Sequence, residues 1–456
     1  MRFSRYTPFG TARFAAQGGA TGALGGDFSS VLSNPAGLAF FRSSEFVLSP
    51  SLYGMNTESE FMGNTTPESQ MKFNLGSLGM VQAFSSKRSE GIVSASYAFG
   101  YQTLVNFNNH STLRGTNNRS SLLDDFTWHA NLDPDNLSPF YEELAFDSYL
   151  MPYDEESGQY WHDMQIDGYG QEVSRTSDQY GYIGEFSLSG ALNVSNFLYV
   201  GASVGMHSVR FYEDIQHRET DADNHVVDLE SFSFTEFNRT TGYGLASRLG
   251  LIVRPMDMLR LGATVQFPTV YRLTDSKYTS MNSYWDNGSG IADRTAVSPD
   301  GLYDYQLRTP FQASAQASLI LFRMATLSLA YEYVDYTTAR LDASGYSFMD
   351  ENDQIRNAFQ ATHNLKAGGE IRLNALYLRG DAAPDESVCR SVEQRKSMDP
   401  IGRSRHPGKH SYLDFSYSHG RKYEVYGLYS YEPGINEVAH NTITAHSILC
   451  TLGFRF

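Results

Sequence analysis

No run of about 18 apolar residues occurs anywhere in this 456-residue chain, so no segment can cross a bilayer as a helix. Any membrane span would have to be made of strands. Cysteine is nearly absent: Cys389 and Cys450 cannot by themselves form a disulfide framework or a four-ligand zinc site. Basic residues are outnumbered, 35 Lys and Arg against 51 Asp and Glu, giving a net charge of −16. That excludes nucleic acid as a partner, because phosphate binding needs clustered Lys and Arg.

The motifs of soluble catalysis are missing too. There is no glycine-rich phosphate loop, no His-Glu-x-x-His pair, no paired-cysteine metal spacing and no Gly-x-Ser-x-Gly elbow. His110 beside Ser111 is the one adjacent pair worth naming, and NFNNHST is loop-like, so chance adjacency explains it. The twelve histidines, among them His129, His162, His217 and His225, are scattered and read as solvated loop residues rather than haem or metal ligands. Asp133, Asp135, Asp154, Glu155 and Glu156 lack the spacing of a calcium loop. No enzyme, cofactor or metal is therefore expected. The N-terminus, MRFSRYTPFG, has no apolar export segment: either the chain begins near a mature end or its start is placed late.

Glycine (39), tyrosine (30) and phenylalanine (29) are abundant while 19% of residues are charged, a mix that favours many strands over long surface helices. A mean hydropathy of −0.39 is neutral evidence, since each barrel strand shows only one face to lipid. Strict alternation recurs. Leu259, Leu261, Ala263, Val265 and Phe267 interleave with Arg260, Gly262, Thr264 and Gln266. Phe311, Ala313, Ala315, Ala317 and Leu319 interleave with Gln312, Ser314, Gln316 and Ser318, and Leu327, Leu329, Tyr331 and Tyr333 with Thr326, Ser328, Ala330 and Glu332. One face is apolar and the other is small and polar, as a lumen requires.

A soluble β-sandwich would alternate as well, but the connections argue for a barrel. Short ones are expected near Ser85 to Glu90, Asn193 to Asn196, Arg254 to Asp257, Phe322 to Ala325, Arg372 to Asn374 and His419 to Lys422. Long polar ones fall between them, at about 56–70, 108–178, 214–230, 276–303, 342–361, 391–409 and 433–441. Thirteen connections make fourteen strands, with short turns on one side and long loops on the other, the asymmetry of an outer-membrane barrel. An even count puts both termini on the short-turn, periplasmic side. The last strand alternates Ile448, Cys450, Leu452, Phe454 and Phe456, an ending similar to the signal read by barrel-assembly machinery.

Residues 1–43 break the pattern, with glycine and alanine crowded into AAQGGATGALGGDFSSVLSNPAGLAFF, which suits neither a regular strand nor a helix. Here Gly18, Gly19 and Ala20, followed by Ser33, Asn34, Pro35, Ala36, Gly37 and Leu38, resemble the N-terminal hatch of the FadL-type outer-membrane transporters for long-chain fatty acids and aromatic hydrocarbons. The segments NFLYVGASVGMHSVRFYEDI, LRLGATVQFPTVYRL, YQLRTPFQASAQASL and THNLKAGGEIRLNALYLRGDAAPDES are similar to successive strands of that family.

The resemblance implies an all-β, 14-stranded antiparallel transmembrane β-barrel over 44–456, with residues 1–43 as a hatch in its lumen. It implies that Asn34 to Leu38 block free leakage, and that substrate leaves sideways where an inward kink in the third strand opens the wall. In GIVSASYAFGYQTLVNF, Phe99, Gly100 and Tyr101 are the candidates for that kink. Substrate-contacting residues are not assignable.

The 108–178 loop is longer than the family's usual connection, is rich in acids and aromatics, and suits either a lid or a capture surface. The expected function is passive uptake of small hydrophobic molecules by a monomer in contact with outer-membrane lipid and lipopolysaccharide. The alternatives are a surface adhesin or receptor barrel, haem capture included, acting through acidic loops, and a barrel hydrolase. A transporter should hold an apolar pocket beside its hatch.

Overall fold

The computed structural model describes all residues except 1, 5–9, 87, 225, 287–289, 323, 375, 383–396, 399–400, 406–409 and 430–436. One antiparallel sheet dominates it. Several strands run on past a break, and joining such pieces gives fourteen positions around the sheet. They are β1 (Glu45–Phe61), β2 (Asn64–Ser85), β3 (Ile92–Asn106 and Asn109–Asn117), β4 (Gln171–Val194), β5 (Leu198–Thr220), β6 (Leu229–Met256) and β7 (Leu259–Gln266 and Val270–Trp285). Then follow β8 (Gly301–Arg308 and Gln312–Leu321), β9 (Ala325–Asp335 and Arg340–Asp342), β10 (Ala361–Leu373), β11 (Leu376–Ala382), β12 (Ile401–Arg405), β13 (Ser411–Gly427) and β14 (Val438–Arg455). Each pairs with the next, and β1 pairs with β14 from Glu45↔Arg455 to Glu60↔His440, so the ladder returns to its start.

Alternation places the side chains as the sequence implies. Leu261, Leu327, Leu329 and Tyr331 are exposed, while Thr264, Gln266, Gln316, Ser318 and Ser328 are buried in the interior. With Val204, Met206, Leu245, Leu249 and Leu251 the outward residues form an apolar belt.

The connections differ from expectation in two ways. The 56–70 segment is two long strands joined by Met62 and Gly63, whose positive φ values (48° and 80°) suit a tight hairpin. Strands also run into the polar segments expected as loops at 214–230 and 276–303. Beyond a bilayer both faces of a strand meet water, so the two-residue apolar period disappears although the ladder continues. The turn expected at His419 to Lys422 lies instead inside β13, where His419 pairs with His446 and Lys422 with Ile443. β12 ends at Arg405 and β13 begins at Ser411, so the expected 391–409 loop contains β12. The two errors cancel in the strand count.

Residues 10–43 fold inside the sheet as short helical turns. Asn34 caps the 3₁₀ turn Pro35–Phe40 by accepting the Ala36 N–H at 3.1 Å, with Pro35 at the first position, where its missing N–H costs nothing. Its amide also donates to Gln316 Oε1 at 2.9 Å and to the Leu251 and Ala263 carbonyls at 3.3 and 3.4 Å, so one buried side chain caps the turn and ties it to three strands.

Wall glycines give the hatch room. Gly79 and Gly100 are ladder partners, and a Cβ on either would strike the Phe28 ring. Gly201 and Gly250, also partners, lie under Asn34, Pro35 and Ala36.

The long segment after β3 forms a lid containing α1 (Leu122–Leu132) and α2 (Glu142–Asp147). Leu123, Phe126, Leu144 and Met151 pack there with Phe61, Phe232, Phe234 and Met281 from the upper ends of strands and with Tyr429, just past β13.

Candidate functional site: an apolar row beside a break in the wall

Strand β3 leaves its neighbour part-way up. It pairs with β2 from Ser85↔Ser94 to Ser77↔Gln102 and no further, while β2 continues to Asn64 paired only with β1. On its other side β3 stays joined to β4, but Thr103 pairs with Gly184 and Val105 with Ile183, so Leu104 is an extra residue. Such a bulge bends the strand carrying it.

The bent part turns inward. Thr57 Oγ1 of β1 donates to Asn109 Oδ1 at 3.2 Å, Leu113 packs with Phe61, and a Cβ on Gly115 would meet Met62 and Phe61. The upper edge of β2 is left without a ladder partner on that side, and Met71 and Phe73 there are about 70% exposed. Ser77 lies eight residues above Ser85, roughly 20 Å up at ~3.3 Å per residue and a tilt of about 40°.

Phe99, Gly100 and Tyr101, expected at the kink, are regularly paired on both sides, to Met80, Gly79 and Leu78 and to Leu188, Ser187 and Phe186. Gly100 makes room for Phe28. The departure begins just beyond, at Gln102, and the bulge is Leu104.

Behind the bulge an apolar row follows the ladder around the inner wall. Val105, Ile183, Val209, Gly242, Leu273 and Tyr305 are successive ladder partners across β3 to β8. Phe211 and Leu104 join this cluster, Leu32 of the hatch touches it, and Phe3 sits edge-on to Phe107 and Phe211 at 6.0 and 6.5 Å.

Just below the row the lumen is charged. Glu185 and His207 are ladder partners; Arg248 Nη1 and Nη2 donate to both oxygens of Glu185 at 2.8 and 2.7 Å. His207 bonds Glu185 at 2.6 Å and the Tyr271 hydroxyl at 2.5 Å, and Arg248 also donates to Gln266 at 2.9 Å. All are buried. Upward from Asn34, then, come a neutralised polar layer, an apolar layer into which Phe3 and Leu32 reach, and the lid.

No sequence signal singled out this row. The usable one is a break of parity: Ile183 is an apolar residue on the face that next carries Glu185, Ser187 and Ser189.

The lid has its own buried anchor. Glu219 of β5 accepts the Ser121 hydroxyl at 2.6 Å, the Leu122 N–H at 2.8 Å and the Gln171 amide at 3.1 Å, and meets His217 at 2.8 Å and the Tyr429 hydroxyl at 3.1 Å. His217, expected as a solvated loop residue, is therefore buried inside the barrel. His162 is buried too, against Asp124 at 2.9 Å. His225 lies outside the described residues. His110 lies on inward-bent β3 with Asp178 and Glu68 at 3.6 and 3.9 Å. Among the described residues no cluster of three metal-ligating side chains occurs.

Burial alone would raise the Asp124 carboxyl, but hydrogen bonds from His162, the Tyr169 hydroxyl and the Ser121 N–H outweigh it and hold it below the ordinary carboxylate range. A depressed carboxyl stabilises above its unfolded value and loses that contribution as pH falls through its folded one. The lid is accordingly expected to lose protection as pH falls from about 4, read by hydrogen exchange at α1, and Asp124→Asn should remove the dependence. Asp163, raised by burial and by Asp167, acts above that window and with opposite sign.

No family model and no curated protein matches the sequence. Solved structures do. A Pseudomonas aeruginosa FadL homologue superposes with a TM-score of 0.60 at 12% identity, covering 99% of this chain and 100% of that one. The chain has the FadL fold. The Pseudomonas putida toluene transporter TodX (TM-score 0.56, 12% identity) and the monoaromatic hydrocarbon channel CymD (0.53, 13%) share it, each with 99% of both chains covered. In this fold the Asn34–Leu38 segment lies inside the barrel, capped and tied to β6, β7 and β8 through Asn34.

Proposed function

We propose that the chain is an outer-membrane transporter for passive uptake of small hydrophobic molecules, aromatic or fatty-acid-like. The observation that carries this reading is the apolar row that begins at the Leu104 bulge, where the wall beside β2 is unpaired. A solute held there gains by leaving water and can pass sideways into the bilayer without crossing the polar layer or the hatch. Toluene and monoaromatic hydrocarbons, the cargo of the similar TodX and CymD, fit a row made of Val, Ile, Leu and Phe.

In this reading the short turns and both termini face the periplasm, the lid faces outward, residues 1–43 and 44–456 act as hatch and barrel, and Asn34 to Leu38 hold the hatch against leakage. The chain acts as a monomer inserted by barrel-assembly machinery, without enzymatic activity.

The folded lid also favours a surface-receptor role. The apolar row separates the two, since a receptor acting through its loops has no use for it. Val105→Thr with Val209→Thr keeps shape but lines the row with hydroxyls, each costing ~1–3 kcal/mol when unpaired. Uptake of labelled toluene by expressing cells is expected to fall on the order of tenfold or more. Uptake no greater in wild-type cells than in cells lacking the chain would overturn the reading.

A further inference from the structure

Outside the barrel, just above the apolar belt, three arginines share one concavity of about 600 Å³. Its floor is a row of ladder partners, Val270 of β7, Arg308 of β8 and Arg340 of β9. Leu307, the neighbour of Arg308, packs inward against the apolar row, so Arg308 and its partners face out. Arg356 closes the concavity from α3 (Met349–Ala358).

Like charges directly opposite on a ladder are unfavourable unless something sits between them. Among the described residues neither Arg308 nor Arg340 has a side-chain hydrogen bond or an ion pair, and both are exposed. Arg356 is paired with Asp353, and Asp342 also lines the site, so the free cationic pair is Arg308 with Arg340. In a chain of net charge −16, two unneutralised guanidinium groups held side by side form an anion site rather than part of a generally basic surface.

Height indicates which anion. Arg308 lies thirteen residues above Leu321, the lower end of its own strand β8. At ~3.3 Å per residue and a tilt of about 40°, that is roughly 33 Å, past an apolar band about 25 Å tall. Exposed Leu245, Leu249 and Leu251 lie in the belt, whereas Arg272 and Tyr243 bond each other at 3.3 Å one step higher. The paired guanidiniums thus stand at the headgroup level, with hydrocarbon-facing side chains directly below.

We propose that this concavity binds a phosphate group of the phosphorylated glycolipid of the outer leaflet, with Arg308 and Arg340 donating to its oxygens and the acyl chains lying over the belt below. Arginine suits this because its planar fork donates two parallel bonds to one phosphate. The proposal rests on the outer-membrane orientation given above, but not on transport.

The test is native mass spectrometry of the full chain in detergent with lipid A, with its dephosphorylated form and with inorganic phosphate. Wild type is expected to retain one phosphorylated lipid A. Retention should weaken on the order of tenfold or more for R308Q/R340Q and for the dephosphorylated lipid with wild type. Equal retention by the variant, or of the dephosphorylated lipid, overturns the site; displacement by millimolar inorganic phosphate alone overturns the lipid as its occupant. The dephosphorylated arm needs no variant, and toluene uptake measured separately shows whether transport fails independently.

Discussion

Replacing Arg248 by leucine is expected to destabilise the barrel by about 3–5 kcal/mol, because it leaves the buried Glu185 carboxylate without its bidentate partner. The loss is large beside the ~5–15 kcal/mol that holds a typical folded domain together. His207 stays against Glu185 but cannot replace a fork that grips both oxygens. The double variant Arg248→Leu with Glu185→Leu should recover much of the loss, since an apolar pair of similar volume is often no worse than a buried ion pair. Urea unfolding in lipid vesicles measures both. A single variant within about 0.5 kcal/mol of wild type, as for an ordinary surface change, would mean that water reaches the layer and that it does not seal the lumen beneath the apolar row.

That layer bears on function because it divides the lumen. In the proposed transport reading a hydrophobic molecule in the row would have to break the buried Glu185–Arg248–His207 cluster to move down, whereas sideways it would meet Leu104, Val105 and the edge of β2, where Thr103 Oγ1 donates to the Leu75 carbonyl at 2.6 Å. In that reading the buried charges would direct apolar cargo without touching it, and the segment below would remain packed through Asn34.

Much of this architecture was legible in the chain. Alternation from Leu259 to Phe267, from Phe311 to Leu319 and from Thr326 to Tyr333 identified faces that the structure keeps, because apolar side chains on one face of a strand have only the belt to go to. The capped turn was legible in Asn34-Pro35-Ala36-Gly37, where capping and turn chemistry act locally. Boundaries were less so. The 56–70 hairpin and the upper ends of β5 to β7 looked like loops because polar residues occupy both faces there, and the His419–Lys422 stretch looked like a turn although its backbone is paired throughout.

The site itself was mostly hidden. Gly100 drew attention as a glycine inside a strand, and its physical reason is the close approach of the Leu78 carbonyl, Gly79 and the Phe28 ring, contacts across the fold that no local pattern encodes. The bulge at Leu104 exists only relative to the register with β4, and register is a property of two strands. The apolar row emerges when six strands are aligned, since each contributes one or two of its members.

Removing the extra residue gives the most direct test of lateral release. Deleting Leu104 lets Thr103 and Val105 pair with Gly184 and Ile183 without a bulge, so β3 can continue beside β2 and close the wall. The measurement is the initial rate of labelled toluene uptake by cells making equal amounts of the wild-type and deleted chains, with heat-shifted electrophoretic migration confirming that both are folded. The account predicts that the folded deletion variant takes up toluene no faster than cells lacking the chain. Uptake by the folded variant at the wild-type rate would contradict it and would place the exit elsewhere, through the lumen and past the hatch.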